Sequence, residues 1–345
     1  MSEKKKMGFF QKTKNMTDTN LLLAITMIVF FAMYIGAMIF EGKGFLKAQT
    51  FLNMLNANAA LIIASCGMSI VMITGSIDIS VGGVAALVSM CCAVYLDYHG
   101  GNVVTAIFIS LGIGLLFGLV QGYLVAYLDI QPFIVSLAGM FFARGMTTIV
   151  NTEPFNVQNE AFVKLKETRV IVPGLGSVNK LGKYVNAYVE IGVVVALILV
   201  IVLFCMLRWS KSGRNFYAVG GNQQSALMLG INVKKTKFMA HLLCSLLAGI
   251  GGFVYFMHVG SGSASHATGM EMNAIASSII GGTMLTGGVG NIIGTLFGVL
   301  SLSTIQNIVS SAGLDQAWWT GITIAAMLCL FLVIQSVVMS RKKKA

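Results

Sequence analysis

Two ionisable side chains interrupt long apolar stretches of this sequence, and a charge at such a position needs either a partner or a function. Asp78 lies with Ser80 in the segment Gly75–Gly83, and Arg144 lies in the segment Leu137–Met146. The Asp78 carboxylate can accept hydrogen bonds from free backbone N–H groups at a helix start, or it can face a path for a polar solute. Arg144 can extend to an aqueous interface, or it can bind a polar partner among helices. The residues alone leave both pairs of alternatives open.

Amide and hydroxyl side chains are the other groups in apolar sequence that can bind a solute. Such groups can hydrogen-bond the hydroxyls of a sugar-like molecule, or they can join neighbouring helices, which is the commoner role for any one of them. With the residues above they make up the predicted lining or framework of a solute path: Asn58, Asp78, Ser80, Arg144, Asn273 and Ser277.

The sequence lacks the motifs of catalysis, metal binding and ATP binding. Its four histidines show no metal-ligand spacing, its six cysteines form no CxxC pair, and no Gly-x-Ser-x-Gly elbow is present. The only Lys-Ser pair, Lys211-Ser212, is not preceded by the glycine of a P-loop. We therefore expect no enzymatic activity, metal or cofactor in this chain. If ATP drives its function, a partner subunit must bind the ATP and Mg²⁺.

The composition identifies the elements that position these residues as membrane-spanning helices. Hydrophobic residues make up 56% of the 345 residues and charged residues only 10%, which is too little polar surface for a soluble chain. Windows of about 20 apolar residues predict an all-α, polytopic membrane protein with about ten spans. They lie near 20–40, 50–74, 79–97, 103–127, 131–151, 187–207, 238–257, 272–287, 291–311 and 317–339.

The placement of the basic residues predicts the topology. Lys and Arg concentrate before residue 15, between 208 and 237, and at 341–344, and segments rich in these residues stay in the cytoplasm. This pattern predicts a cytoplasmic N-terminus (1–19), a membrane domain (20–339) with an outer loop (152–186) and an inner loop (208–237), and a cytoplasmic C-terminus (340–345). The basic runs carry no interleaved aromatic residues, so we expect no nucleic-acid partner.

Two glycine-rich interruptions, Gly75–Gly83 and Gly281–Gly290, lie within apolar sequence. Paired interruptions of this kind are typical of discontinuous helices beside a substrate path, although small residues also let helices pack closely. Each follows an Asn-Ala pair, Asn58-Ala59 for the first and Asn273-Ala274 for the second. A five-plus-five internal repeat is compatible with this pattern.

The inner loop contains a moderately apolar stretch, residues 217–233, within basic sequence. Asn222 is suited to cap a short helix over Gln223–Leu229, and Gly230 is suited to end it in a left-handed conformation. Such a helix would display Leu227 and Leu229. It can dock on a partner or lie on the membrane surface, and the residues do not distinguish the two.

Four ordered blocks of the sequence resemble the permease subunits of bacterial ABC importers for monosaccharides, the group that serves ribose, xylose, galactose and galactofuranose. The blocks are Gly75–Gly83, Leu137–Gly145, Ala218–Ile231 and Glu271–Gly290. The resemblance runs from about residue 20 to 335 and is greatest to a galactofuranose-importer permease. Asn273 stands where that permease would have an acid, and Ser76 replaces a glycine of the first block.

The resemblance implies a division of labour in the bacterial cytoplasmic membrane. The permease pairs with itself or with a sister permease to line a path, an ATPase binds the inner loop, and an external sugar-binding protein docks outside. Surrounding lipid completes the set of partners. Matching positions assign these residues to the ATPase-coupling segment: Gly220, Gly221, Asn222, Ser225, Ala226, Leu227, Gly230 and Ile231.

A secondary transporter of a small polar solute, driven by an ion gradient, is the alternative function. Such transporters often carry acids in several spans for ion coupling, whereas this sequence places essentially one acid, Asp78, in mid-span. A membrane-embedded enzyme is disfavoured because no catalytic constellation is present.

Overall fold

A computed structural model describes residues 18–41, 45, 47–178, 184–314 and 316–344. The chain folds in the order α1 (Asp18–Glu41), α2 (Ala48–Ile73), α3 (Val81–Tyr98), α4 (Val103–Ala126), α5 (Pro132–Val150), β1 (Phe155–Asn156), α6 (Glu160–Glu167), β2 (Arg169–Val178), β3 (Tyr184–Glu190), α7 (Ile191–Trp209), α8 (Lys211–Gly221), α9 (Gln223–Met228), α10 (Val233–Val259), β4 (Ser261–Gly262), α11 (Met270–Ile280), α12 (Ile292–Ser311) and α13 (Ala317–Lys344). The predicted basic run in residues 1–17 lies outside the described residues, and the predicted tail from 340 to 344 continues α13.

Nine helices of the described chain are long and apolar enough to cross a membrane: α1, α2, α3, α4, α5, α7, α10, α12 and α13. They match nine of the ten predicted segments. The polytopic, all-α architecture is therefore confirmed. The second helix, α2, is the central one, because 94% of its most apolar window is buried inside the protein.

The predicted eighth span, 272–287, is wrong as a continuous helix. α11 has 11 residues and a length of about 17 Å, against the ~30 Å of a bilayer core. It ends where Gly281 and Gly282 begin a turn-rich segment, residues 281–291, and Gly282, Gly287 and Gly288 adopt positive φ. A run of glycines loses more chain entropy in a helix than other residues do, so the helix stops there.

The chain nevertheless crosses the bundle once more between α10 and α12. This crossing is the eighth in chain order and brings the total in the described chain to ten. β4, directly after α10, pairs with β1, whereas the carbonyl oxygen of Gly290, just before α12, accepts a hydrogen bond of 2.8 Å from the Tyr217 hydroxyl. These contacts lie at opposite ends of the bundle. We call these ends of the bundle the hairpin end, which carries residues 155–178 and 184–190, and the short-helix end, which carries residues 210–232.

The predicted outer loop has more structure than the sequence indicates. It contains α6 and an antiparallel hairpin, β2–β3, in which Arg169 pairs with Glu190 and Val172 with Ala187. The sixth span therefore begins at Ile191 rather than 187, because residues 187–190 still belong to β3. The hairpin is anchored to α2, where the Gln49 side chain accepts a hydrogen bond of 2.9 Å from the backbone of Tyr188.

The two glycine-rich segments meet at the short-helix end. A Cβ atom placed on Gly287 would lie 2.9 Å from the backbone nitrogen of Gly75 and 2.8 Å from the carbonyl oxygen of Gly220. The first segment joins the second and third crossings, and the other joins the eighth and ninth. These are not equivalent places in two halves of five, so the five-plus-five repeat stays a prediction without support from the glycines.

Candidate functional site

A polar cleft of about 280 Å³ lies between α2, α10 and the start of α11, close to the hairpin end. Asn58 and Asn273, which are 215 positions apart in the sequence, both line it. The remaining lining is neutral: Ala57, Ala60, Leu61, Tyr255, Ser265, Ala267, Thr268 and Met270. Two of the predicted path residues are thus brought together at one cavity.

The two asparagines differ in what they leave free for a ligand. The Asn58 amide nitrogen donates to the Met54 carbonyl at 2.8 Å and to the Ser303 hydroxyl at 2.9 Å. This holds its side chain in place and leaves the amide oxygen as an acceptor. The half-buried Asn273 side chain makes no hydrogen bond with any described residue, so its donor and acceptor groups are both free to bind a solute.

Ser277 does not line the cleft. It is fully buried one turn further along α11, and its hydroxyl donates to the carbonyl of Asn273 at 2.7 Å. Its hydroxyl therefore serves the helix that presents Asn273 rather than a solute.

Arg144 binds polar partners inside the protein rather than extending to an interface. Its guanidinium donates to the carbonyl oxygens of His266 and Ala267, the latter at 2.8 Å, and lies 3.9 Å from the carboxylate of Glu271. Both carbonyls belong to the segment 263–269, which forms one wall of the cleft. Arg144 thus positions this wall from α5 without lining the cleft itself.

Glu271 is a buried acid whose structural role the sequence reasoning missed. It is only 9% exposed in the first turn of α11, where a negative charge is favoured by the helix dipole. One of its carboxylate oxygens forms no hydrogen bond with the described residues and lies where a side chain on Gly82 would sit. The block Glu271–Gly290 resembles the monosaccharide permeases, but an acid in the first turn of a helix is common and does not by itself indicate burial.

His266 lies in the same wall and faces α3. One of its ring nitrogens lies 3.2 Å from the Ser89 hydroxyl. Partial burial lowers the pKa of His266, because the charged imidazolium loses solvation. The imidazole is therefore neutral near pH 7, and this wall of the cleft carries no positive charge at that position.

Asp78 lies apart from the cleft, in the turn between α2 and α3. One oxygen of its carboxylate accepts from the Ser80 backbone at 3.0 Å and from the Ser80 hydroxyl at 2.6 Å. The bonded N–H precedes the helix, so Asp78 stabilises the turn rather than occupying the N-cap position. Gln121 of α4 donates to the Ser80 hydroxyl at 2.9 Å. Asp78 and Ser80 are fully buried and hold α3 against α4.

The short helix predicted in the inner loop is confirmed as α9. The Asn222 side chain accepts from the Ser225 backbone at 2.8 Å, and Gly230 ends the turn with φ of +76°. The helix is one residue shorter than predicted, ending at Met228. Ala226 is buried against Val219 and Val233, which fixes the helix to the protein.

The tip of α9 is an exposed apolar surface. Leu227 is 64% exposed, Met228 88% and Leu229 79%. Beside it, a cleft of about 720 Å³ opens between α9 and the ends of α4 and α10, and it contains Asp129, Lys234 and Lys237. An apolar tip with a charged cleft beside it is typical of a surface that docks on another protein.

The loop that carries α9 is packed against the glycine-rich segments. A Cβ on Gly220 would overlap the carbonyl oxygen of Ile73, so glycine is required for this approach. The Gly288 backbone N–H donates to the same Ile73 oxygen at 2.8 Å. Gly221 lies against Gly288, and Ile231 packs on the cluster that holds Ala226. A continuous set of contacts therefore runs from α9 through residues 281–290 to α11, which carries Asn273.

Nine candidate membrane spans in the described chain, a polar cleft between helices and an exposed short helix are the features of a membrane transport subunit, and the comparisons with known proteins agree. Residues 50–332 match the family model described as the branched-chain amino acid transport system permease component. The chain belongs to this permease family. It is a transporter component and not an enzyme.

Curated relatives extend the similarity over most of the chain. The inner membrane ABC transporter permease protein YjfF of Escherichia coli (strain K12) is 35% identical over 93% of this chain and 93% of its own length. The fructose import permease protein FruG of Bifidobacterium longum is 34% identical, covering 82% and 81%. The ribose import permease protein RbsC of E. coli is 32% identical, covering 79% and 81%. No solved structure gives a significant match.

Proposed function

We propose that this chain forms the translocation path of an ATP-driven monosaccharide importer, and that the cleft between Asn58 and Asn273 is a solute-binding site on that path. The observation that carries the proposal is the Asn273 amide, which faces a polar cleft without an internal partner. Amide donors and acceptors suit the hydroxyl groups of a sugar ring. A cleft of about 280 Å³ is at the small end of ligand pockets and suits a single ring.

The neutral lining favours a sugar over an amino acid, although the family model is named for amino acid transport. An amino acid brings a carboxylate and an ammonium group, and both would lose water on entering the cleft without gaining a charged partner. The described lining contains no ionisable side chain except the Tyr255 phenol. Two relatives carry fructose and ribose in their names. Galactofuranose is the specific sugar we propose, on the basis of the four sequence blocks.

Sugar uptake by the reconstituted importer tests the substrate. We expect the Asn273→Leu variant to lose most uptake, because it removes a donor and an acceptor from the cleft, while Asn53→Leu on the exposed face of α2 serves as the control. Ribose, galactofuranose and leucine are offered separately. Transport of leucine in preference to the sugars, or normal sugar uptake by Asn273→Leu, would refute the proposed cleft chemistry.

The α9 tip is proposed as the docking site of a separate ATPase, which binds ATP and Mg²⁺. The coupling residues predicted from the sequence support this role in different ways. Leu227 is exposed to contact the partner, Asn222 and Gly230 bound the helix, and Gly220 joins it to residues 281–290. Movement of α9 would reach α11, and hence Asn273, through this junction.

Uptake and ATP hydrolysis measured together test the coupling. We expect the double variant Asn222→Ala/Leu227→Ala to insert normally and to lose stimulation of ATP hydrolysis along with uptake. Replacing Leu175, an exposed residue at the hairpin end, by Ala is the matched control. Uptake driven by an ion gradient without ATP would instead establish the secondary transporter.

The orientation follows from the same proposal. The short-helix end, with its basic loop, the start of α1 and the end of α13, faces the cytoplasm of a bacterium, and both chain termini are proposed to lie on that side. The hairpin end faces outward and receives a sugar-binding protein. A second permease, identical or related, completes the path. Labelling of single cysteines introduced at Lys235 and at Lys164 in intact cells distinguishes the two faces, and labelling of the Lys235 position from outside would reverse this orientation.

A further inference from the structure

A second cleft, outside the path and the docking helix, lies at the short-helix end between α1, α7, α8 and the start of α12. It measures about 460 Å³ and contains two arginines, Arg208 at the end of α7 and Arg214 on α8. Arg214 donates to the Trp209 carbonyl at 3.1 Å, which fixes it above the end of α7. Neither arginine forms an ion pair with a described acidic side chain. Two positive charges therefore converge on the cleft without a described acidic partner.

Two helices begin at the edge of the cleft. α12 begins at its edge, where Asn291 accepts from the Ile293 N–H at 2.9 Å, and α1 contributes Thr19 and Asn20 from its first turn. The starts of both helices place the positive ends of their dipoles at the cleft. An anion bound here would be attracted by two guanidinium groups and by two helix starts at once.

The opposite wall is apolar and continues into the membrane-facing surface. Phe204 and Leu207 line the cleft, and the exposed side chains of Ile198, Ile201 and Val202 precede them on α7. Ile198 lies about 15 Å along the helix from Arg208, which is half the thickness of a bilayer core. A ligand with a negative group at the arginines would therefore have hydrocarbon contacts along one leaflet.

We propose that this cleft binds one anionic phospholipid, with its phosphate between Arg208 and Arg214 and an acyl chain along α7. Free phosphate shares the charge but would leave the apolar wall uncovered. The proposal does not depend on which end of the protein faces the cytoplasm, and it stands independently of the transported solute.

Lipid-dependent melting of the purified, delipidated protein tests the site. The probes are phosphatidylglycerol, phosphatidylcholine with the same acyl chains, and inorganic phosphate. We expect phosphatidylglycerol to raise the melting temperature more than phosphatidylcholine, and the Arg208→Gln/Arg214→Gln variant to bind it about 30-fold more weakly. The Arg208→Lys/Arg214→Lys variant keeps both charges and is expected to retain most of the preference for phosphatidylglycerol over phosphatidylcholine. It shows whether a weaker response of the glutamine variant comes from the lost charge or from a folding defect.

The Lys234→Gln/Lys235→Gln variant is the matched control, because it removes two positive charges at the same end but outside the cleft. We expect its response to phosphatidylglycerol to equal that of the unmodified protein. Equal stabilisation by the two lipids, equal losses in the two glutamine variants, or full stabilisation by inorganic phosphate alone would each overturn the proposal.

Discussion

Arg144 is expected to contribute more to stability than any other charged side chain in the described membrane region, and this expectation can be measured. Its guanidinium donates to the carbonyls of His266 and Ala267 and lies 3.9 Å from Glu271. The Arg144→Met variant keeps the apolar stem and removes all three interactions. The wall of the cleft at 263–269 would then lose its attachment to α5.

The magnitude follows from the partners. Two hydrogen bonds from a charged donor contribute about 3 kcal/mol at the lower end of their range, which applies because the side chain is 22% exposed. The interaction with Glu271 adds about 1 kcal/mol after allowance for solvent screening. A loss of about 4 kcal/mol corresponds to a fall of about 5 °C in the melting temperature of a chain of this size.

Thermal unfolding in detergent, followed with a thiol-reactive or intrinsic fluorescence probe, is the assay. Glu271→Gln alone is expected to change stability little, since it removes the ion pair and also a carboxylate oxygen without a described hydrogen bond. The double variant should lose about 1 kcal/mol less than the sum of the single variants. Arg169→Met on the exposed hairpin is the control. A melting temperature for Arg144→Met within 2 °C of the unmodified protein, or strict additivity in the double variant, would refute the reasoning.

Three further outcomes follow from the contacts of single residues. Asp78→Asn should melt normally and keep transport, because an amide oxygen can accept the two Ser80 hydrogen bonds. Asp78→Leu should lose about 2 kcal/mol of stability, because it leaves the Ser80 donors unpaired. Equal melting temperatures of the two variants would argue against the role of Asp78 in the turn. Gly220→Val should abolish the folded protein or sharply reduce its yield, because its side chain would overlap the Ile73 carbonyl, and Gly221→Ala, whose position is open, is the comparison. Burial lowers the pKa of His266, so the unfolded chain binds its proton more readily; stability should be complete above about pH 6.5 and fall as the pH drops below it. His266→Gln should flatten this dependence in melting measurements, and an unchanged pH profile would contradict it.

Hydropathy was sufficient to locate the spans, because a membrane imposes about 20 apolar residues on any regular helix that crosses it. It failed at residues 272–287, where the composition is apolar but Gly281, Gly282, Gly287 and Gly288 do not sustain a helix. The sixth span was placed four residues early because Ala187, Tyr188 and Val189 at the end of strand β3 are apolar and directly precede the apolar helix. Average hydropathy does not distinguish these conformations.

The short helix α9 was predicted almost to the residue, because its two ends depend on local chemistry. Asn222 caps its own helix and Gly230 adopts the conformation that glycine favours. The partners of Arg144 could not be predicted in the same way. Its hydrogen bonds join residues more than 120 positions apart, and two of its three partners are backbone carbonyls that any residue type provides.

The meeting of Gly75, Gly220 and Gly287 has a mechanical consequence. Side chains that interdigitate must leave their rotamer wells before two elements can slide past each other, and close-packed interiors resist such movement. At this junction backbone faces backbone, with no side chains between the three segments. Movement of one segment past another therefore has to break hydrogen bonds such as the one from Gly288 to Ile73, but it does not have to separate interdigitated side chains. The glycines at this junction therefore allow the three segments to shift relative to one another without any change of side-chain rotamer.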